Sequence, residues 1–270
     1  MSAEGASGPR KGRKGRLIMS ILGAVLFLYV VACVLLYVFQ RRFLYFPPRG
    51  VTETSEQRIE LRSGDLTLRG WVVNPGRENA IIYYGGNAER PETNIGTFRK
   101  AFEDHTIYLL NYRGYGDSDG SPTETGLYAD AEVVFDHAAG SHQHVSLMGR
   151  SLGTGVATHV ASCREVHSMI LIEPYDSMVN VARSHYPFFP VGLLLRDRYD
   201  SAERAGRITA PTLIIIAESD EIIPRRSTDK LIEAFDPGIL KVEVIAGATH
   251  NNIQVFPEYY ALMSDFLLRK

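Results

Sequence analysis

Val145-Ser146-Leu147-Met148-Gly149-Arg150-Ser151-Leu152-Gly153-Thr154-Gly155-Val156-Ala157-Thr158-His159-Val160-Ala161 decides the fold. A short apolar run ends at Gly149, a serine follows two residues later, and Gly153 and Gly155 open a segment of small and apolar residues at helical spacing. The pattern predicts a strand, a sharp turn and a helix. Glycines flanking the turn let two backbones approach closely, which leaves the serine on an exposed corner. The helix that begins there aims its free N–H groups and positive dipole end at any anion formed at that serine. Ser151 is therefore the candidate nucleophile.

A second pentapeptide, Gly116-Asp117-Ser118-Asp119-Gly120, fits the same G-x-S-x-G spacing. It has no apolar strand directly before it, and Ser121-Pro122 breaks the chain after it. Two aspartates beside Ser118 also oppose the negative charge that acyl transfer develops. A turn without chemistry is the expectation for this site.

Outward from the serine, short apolar runs alternate with helical stretches: Ala80–Tyr84, Thr106–Leu110, Val145–Met148, Met169–Ile172, Thr212–Ala217 and Leu240–Ile245. Continuous apolar strands are buried on both faces, and their alternation with helices implies a mostly parallel, doubly wound α/β sheet. Before them, Gln57–Arg62 and Leu66–Val73 alternate in polarity across Ser63-Gly64-Asp65, which predicts a β-hairpin. Between 174 and 207 the alternation lapses, and this stretch is expected to form an inserted cap that lies over the strand ends or packs beside them.

The N-terminal region has a different character. Residues 1–16 are small, glycine-rich and basic, an expected disordered tail, and Leu17–Phe39 carry no charge over 23 residues. That length spans the roughly 30 Å hydrocarbon core of a bilayer. Gln40-Arg41-Arg42 follow without a small-residue cleavage site, so a retained single-pass transmembrane helix at 17–39 is expected, with a juxtamembrane linker over 40–56 and the catalytic domain over 57–270. Five basic residues precede the span against Arg41, Arg42 and Arg49 after it, a bias that predicts a cytoplasmic N-terminus and an extracytoplasmic domain. Val30-Val31-Ala32-Cys33 resembles a lipoprotein cleavage site, but six apolar residues after Cys33 favour a membrane-buried cysteine.

With five basic groups and Glu4 set aside in residues 1–39, residues 40–270 hold 24 basic against 30 acidic groups, a balance unlike that of a nucleic-acid binder. The two cysteines, Cys33 and Cys163, offer no disulfide framework for the domain. No cluster of His and Cys at ligand spacing and no phosphate-cradling glycine loop stands out, so no metal or organic cofactor is expected.

A serine hydroxyl needs an imidazole to take its proton and a carboxylate to hold that ring. In a doubly wound sheet both come from loops at the carboxyl ends of strands. His250, in Gly247-Ala248-Thr249-His250-Asn251 just past the last apolar run, meets that demand; His144 starts a strand at its wrong end, His159 lies inside the serine's helix, and His185 in the insertion is a poor second. For the acid, Glu218, Asp220 and Glu221 crowd the loop after Thr212–Ala217, and Glu173 or Asp176 after the preceding strand is the alternative. The developing oxyanion needs backbone donors: Leu152 supplies one, and Tyr84-Gly85-Gly86-Asn87-Ala88 the other, from Asn87 first and Gly86 second.

These pieces resemble the α/β-hydrolase superfamily, and within it the membrane-anchored α/β-hydrolase domain proteins that include Bem46-type hydrolases and depalmitoylating thioesterases. The resemblance is carried by Phe46-Pro47-Pro48, Gly86-Asn87-Ala88, Asn111-Tyr112-Arg113-Gly114-Tyr115-Gly116-Asp117-Ser118, Gly149-Arg150-Ser151-Leu152-Gly153, Asp220-Glu221-Ile222-Ile223-Pro224 and Gly247-Ala248-Thr249-His250-Asn251. It implies an α/β-hydrolase fold, a Ser151–Asp220–His250 triad with Asp220 as the acid, and cleavage of esters or thioesters. Gly85 stands where such proteins commonly carry a histidine. A membrane-proximal site implies an ester or acyl substrate, lipid included. The competing expectations are a serine peptidase acting on small peptides and a non-catalytic scaffold that keeps the fold.

Overall fold

The computed structural model describes residues 11–268. Of the tail expected over 1–16, the first ten residues lie outside that range, and residues 11–16 are helical rather than disordered. They open helix α1 (Lys11–Leu44), which overruns the expected span 17–39 at both ends. Lys, Arg and Gln on its flanks are good helix formers, and no proline interrupts the chain until Pro47. Gly15–Leu44 is long and apolar enough to cross a membrane.

The chain divides into two compact units, Met1–Gln40 and Arg41–Lys270. The second starts well before residue 57, so the expected linker 40–56 is for the most part a piece of the domain. Tyr45 explains why: its ring is buried, and its hydroxyl lies 3.1 Å from Asp197 Oδ2 and 2.7 Å from the Tyr199 hydroxyl. Arg41 pairs with the same Asp197 at 2.9 Å, and Arg49 forms a β-bridge with Gly116.

Within this unit, β1 (Gln57–Ser63) and β2 (Leu66–Val73) form the expected hairpin. The alternation that follows is β3 (Asn79–Tyr84), α2 (Ile95–Ala101), β4 (His105–Leu110), α3 (Glu124–Ala139), β5 (His144–Arg150), α4 (Leu152–Ala161) and β6 (Met169–Ile172). The cap supplies three short helices, α5 (Met178–His185), α6 (Val191–Leu194) and α7 (Ser201–Ala205), before β7 (Thr212–Ala217), α8 (Arg225–Ala234), β8 (Leu240–Ile245) and α9 (Pro257–Leu267). The strands form one eight-stranded sheet in the order β1-β2-β4-β3-β5-β6-β7-β8, antiparallel through β1, β2 and β4 and parallel from β4 onward.

Side-chain alternation divides the core between the two faces. Ile82 and Tyr84 of β3 join Leu147 and the apolar sides of α3 and α4, whereas Ile81 and Tyr83 join Met148, Phe98 of α2 and Met263 of α9. The interior strand β7 is buried at every position, while β8 at the edge alternates, with Val242 and Val244 exposed and Lys241 and Glu243, paired at 2.9 Å, putting charge on that edge. Because β3, β5, β6, β7 and β8 run parallel, the loops after them open on one edge of the sheet, which is where this topology gathers polar side chains.

Candidate active site

At the end of β5 the chain turns so tightly that Ser151 adopts φ 48° and ψ −116°, a conformation sparsely populated by non-glycine residues. The flanking glycines permit the turn. A β-carbon on Gly149 would lie 2.5 Å from the Gly153 carbonyl oxygen, and one on Gly153 only 1.9 Å from that of Tyr84. Leu152 is the first residue of α4, so its N–H has no carbonyl partner in its own helix.

His250, buried on the loop after β8, meets this serine. Its Nε2 lies 3.1 Å from Ser151 Oγ and its Nδ1 2.8 Å from Asp220 Oδ2. The other Asp220 oxygen accepts 2.8 Å hydrogen bonds from the Ile222 and Ile223 N–H groups, which fixes the carboxylate. The remaining acids of that loop have other partners: Glu218 accepts from the Gly247 N–H at 2.8 Å and Glu221 from the His250 N–H at 3.3 Å. Asp176 is turned toward Ser227 and Asn180 at the base of the cap. Among the described residues the other histidines weighed are engaged elsewhere, His159 with Glu132 at 2.8 Å, His185 with the Ile222 carbonyl at 2.9 Å, and His144 against the ring of His167.

The loop after β3 closes the site from the other side. A β-carbon on Gly86 would stand 3.8 Å from Ser151 Cβ, which puts the loop directly beside the serine. The Gly86 N–H is already committed to Glu89 Oε2 at 2.6 Å, so the second-ranked oxyanion donor is not free and the first, Asn87, is the next N–H along. The Asn87 side chain does something composition does not reveal. Its Oδ1 accepts from the Phe46 N–H at 3.0 Å and the Tyr115 hydroxyl at 2.8 Å, while its Nδ2 donates to the Leu44 carbonyl at 2.7 Å. Gly85, at the position commonly held by histidine, has its carbonyl held by the Tyr112 hydroxyl at 2.8 Å. Orientation that one imidazole would provide is thus distributed over Tyr112, Tyr115 and Glu89.

Sequence reasoning passed over Arg150. Its Nη2 donates to the His250 carbonyl at 2.8 Å, and its Nε lies 3.5 Å from Glu173 Oε2. Glu173, at the end of β6, is buried with φ 54°, and its Oε2 lies 3.5 Å from His250 Nδ1. Burial pushes the Glu173 carboxyl up to about 7, against the pull of His250 and Arg150, and nearby Asp220 adds to the rise.

Among the described residues two groups bring three metal-ligating side chain types within 4.8 Å: Glu173–Asp220–His250 and Glu132–His159–Cys163. In each a guanidinium occupies the neighbourhood, Arg150 in the first and Arg164, 3.0 Å from Glu132, in the second. A fixed cation at that distance repels a second one.

Ser151 and His250 open into a cavity of about 510 Å³, within the range of small-molecule pockets of roughly 300–1,000 Å³. Its apolar walls come from Phe43, Leu44 and Phe46 on one side and Met178, Val181 and Ile222 on the other.

Residues 80–204 match the model of the alpha/beta hydrolase fold family. An uncharacterized protein of Mycobacterium tuberculosis is 31% identical over 233 residues, which cover 79% of this chain and 81% of that protein. An uncharacterized membrane protein of Saccharomyces cerevisiae is 26% identical over 278 residues, covering 92% and 96%. Among solved structures, a Pyrococcus furiosus esterase shares the fold with a TM-score of 0.65 at 17% identity, over 82% of this chain and 95% of that one.

Proposed function

The chain belongs to the α/β-hydrolase family, and from that premise we propose that it is a membrane-anchored serine hydrolase that cleaves carboxylic esters or thioesters through an acyl-enzyme. The observation that carries this reading is the hydrogen-bonded relay Ser151 Oγ–His250–Asp220, at 3.1 and 2.8 Å, on the floor of an apolar cavity.

In this mechanism Ser151 Oγ attacks the acyl carbon while His250 Nε2 takes its proton. The resulting oxyanion is held by the Leu152 and Asn87 N–H groups, a contribution worth on the order of 10²–10³ in rate for one donor. Collapse expels the alcohol or thiol, which leaves with the proton from Nε2, and a water then repeats the sequence to free the acid and regenerate the serine. Asp220, held by two backbone N–H groups, keeps the Nδ1 proton in place and stabilises the imidazolium.

The apolar walls from Phe43, Phe46 and Met178 favour acyl chains or lipids as substrates, because burying each methylene contributes about 0.8 kcal/mol. Phe43 lies in the last turn of the membrane-length helix and Phe46 just past its end, so the cavity is lined in part by the segment where that helix stops.

A fluorophosphonate probe tests the chemistry. Labelling is expected for the parent and lost in Ser151→Ala and His250→Ala; labelling that survives Ser151→Ala defeats the assignment. Comparison of p-nitrophenyl esters, acyl thioesters and aminoacyl amides then separates esterase from peptidase action. For topology, the domain is proposed to be extracytoplasmic. The exposed Cys163 is the natural reporter, expected to react with a membrane-impermeant maleimide in sealed cells.

A further inference from the structure

Glu173 is a buried acid that the relay above does not use. Neither of its oxygens has a hydrogen-bond partner, and the same is true of the Arg150 Nε beside it. Unsatisfied buried polar atoms are rare, and a carboxylate carries the largest penalty. Its location is specific: Oε2 lies 3.5 Å from His250 Nδ1, the nitrogen that Asp220 holds at 2.8 Å. The ring proton on Nδ1 therefore faces two carboxylates from two different strand ends, one at bonding distance and one just beyond it.

We propose that Glu173 is a second acid for His250, a positioning residue able to replace Asp220 as acceptor of the Nδ1 proton. Arg150, whose Nε lies 3.5 Å from the same Glu173 Oε2, supplies a charge that favours the ionised carboxyl. The groups facing Glu173 are Arg150 at the end of β5, Asp220 after β7, His250 after β8 and, more remotely, Tyr259 of α9. Burial is the main cause of the raised Glu173 carboxyl, and the Asp220 charge adds to it, so deleting the Asp220 carboxylate lets Glu173 ionise more readily. A small shift of either side chain, of the order of half an ångström, turns the 3.5 Å approach into a hydrogen bond.

This proposal rests on the serine-hydrolase reading, and the two fail differently. If the full-length parent in detergent neither labels with fluorophosphonate nor hydrolyses p-nitrophenyl butyrate, the hydrolase reading is lost and this one with it. If the parent is active, four variants decide. Removing a triad acid ordinarily costs roughly 10⁴-fold in turnover. Asp220→Ala is expected to lose only about 10²-fold, because Glu173 takes over, and Asp220→Ala/Glu173→Gln to fall to about the full 10⁴-fold. Glu173→Gln alone is expected to fall less than 10-fold, so the losses multiply to much less than the double variant shows. Asp220→Asn keeps the folded shape but points amide hydrogens at Nδ1, forcing the wrong tautomer and blocking Glu173. It is expected to be the worse single variant, about 10²-fold below Asp220→Ala. The pH–rate profile of Asp220→Ala should gain a limb, absent from the double variant, as Glu173 loses its proton. Equal losses in Asp220→Ala and Asp220→Asn, or a double variant no worse than Asp220→Ala, overturn the proposal even if one variant proves too unstable to assay.

Discussion

Two pentapeptides of this chain share the spacing G-x-S-x-G, and the fold puts them to opposite uses. Ser151 stands at positive φ on the corner between β5 and α4, with its hydroxyl 3.1 Å from an imidazole and open to a cavity. Ser118 is buried with its hydroxyl spent: it accepts from the Arg69 N–H at 2.8 Å and donates to the Asn111 carbonyl at 3.1 Å. Around it, Asp119 accepts from the Thr67 N–H and pairs with Arg69 at 2.8 Å, and Asp117 pairs with Arg58. The second loop is a strut that ties β2 to the segment after β4. Glycine spacing alone permits either outcome; what separates them is the element on each side. An apolar strand followed by an apolar helix leaves the serine on a corner, whereas a strand-end loop rich in aspartate turns it inward to bind backbone.

The largest expected effect breaks the comparison at the two hydroxyls. Ser151→Ala should reduce ester turnover by roughly 10⁶-fold, as loss of the nucleophilic serine does in subtilisin, with little change in stability. Ser118→Ala should leave turnover within a few-fold and cost about 1–2 kcal/mol in denaturant unfolding, because a buried donor and acceptor lose their partner. A Ser118 variant that abolishes turnover in a protein of unchanged stability would reverse the assignment of the two loops.

Backbone crowding gives the next effect. A methyl on Gly153 meets the Tyr84 carbonyl oxygen at 1.9 Å, backbone against backbone, whereas one on Gly120 meets the end of a flexible Leu66 side chain at 2.8 Å, with φ 90° as the main objection. Gly153→Ala is therefore expected to cost more than about 4 kcal/mol and to prevent accumulation of folded protein. Gly120→Ala should cost about 1–2 kcal/mol and leave a measurable melting transition.

Why one loop was readable and its surroundings were not follows from the range of the interactions. All eight strands lie within a residue or two of the stretches that announce them: β1 and β2 from alternating polarity, and β3 to β8 from short apolar runs, most of them continuous because a parallel strand is buried on both faces. Ser151 and His250 follow from strand ends and chain order, whereas the choice of Asp220 among the acids of its loop comes from the family resemblance. Arg150 carries no such local mark, and Glu173, marked by its strand end only as an alternative acid, shows nothing locally of its place beside His250 and Arg150. Arg150 reaches a carbonyl a hundred residues away, and Glu173 faces His250 only because β6, β7 and β8 lie side by side. The packing of Tyr45 against Asp197 and Tyr199 was hidden for the same reason, since the partners are more than 150 residues apart.

The smallest effect is a pair of opposite pH dependences, one from the acid beside each serine. Asp119 is held below the usual carboxylate range first by its hydrogen bond to Arg69 and then by the Thr67 N–H. Its contribution to stability is present above its unfolded value and is lost as pH falls through the lower folded value. Glu173 behaves in the reverse sense. Burial raises its carboxyl from 4.5 to about 7, so the folded protein holds that proton more tightly than the unfolded chain. Its contribution is complete below pH 4.5 and is lost as pH rises toward 7. Glu173→Gln, which cannot ionise, should therefore gain on the parent across pH 4.5–7, by at most about 3.4 kcal/mol before relaxation, whereas Asp119→Asn should show a smaller, constant melting deficit above about pH 4 that shrinks as pH falls below it. Melting curves taken from about pH 2 to 8 on both variants check the two signs at once. If the Glu173→Gln difference stays flat through that window, the carboxyl is ionised in the resting protein and Arg150 outweighs its burial. The strut and the corner would then treat their acids alike, and the contrast between them would rest on the serine hydroxyls alone.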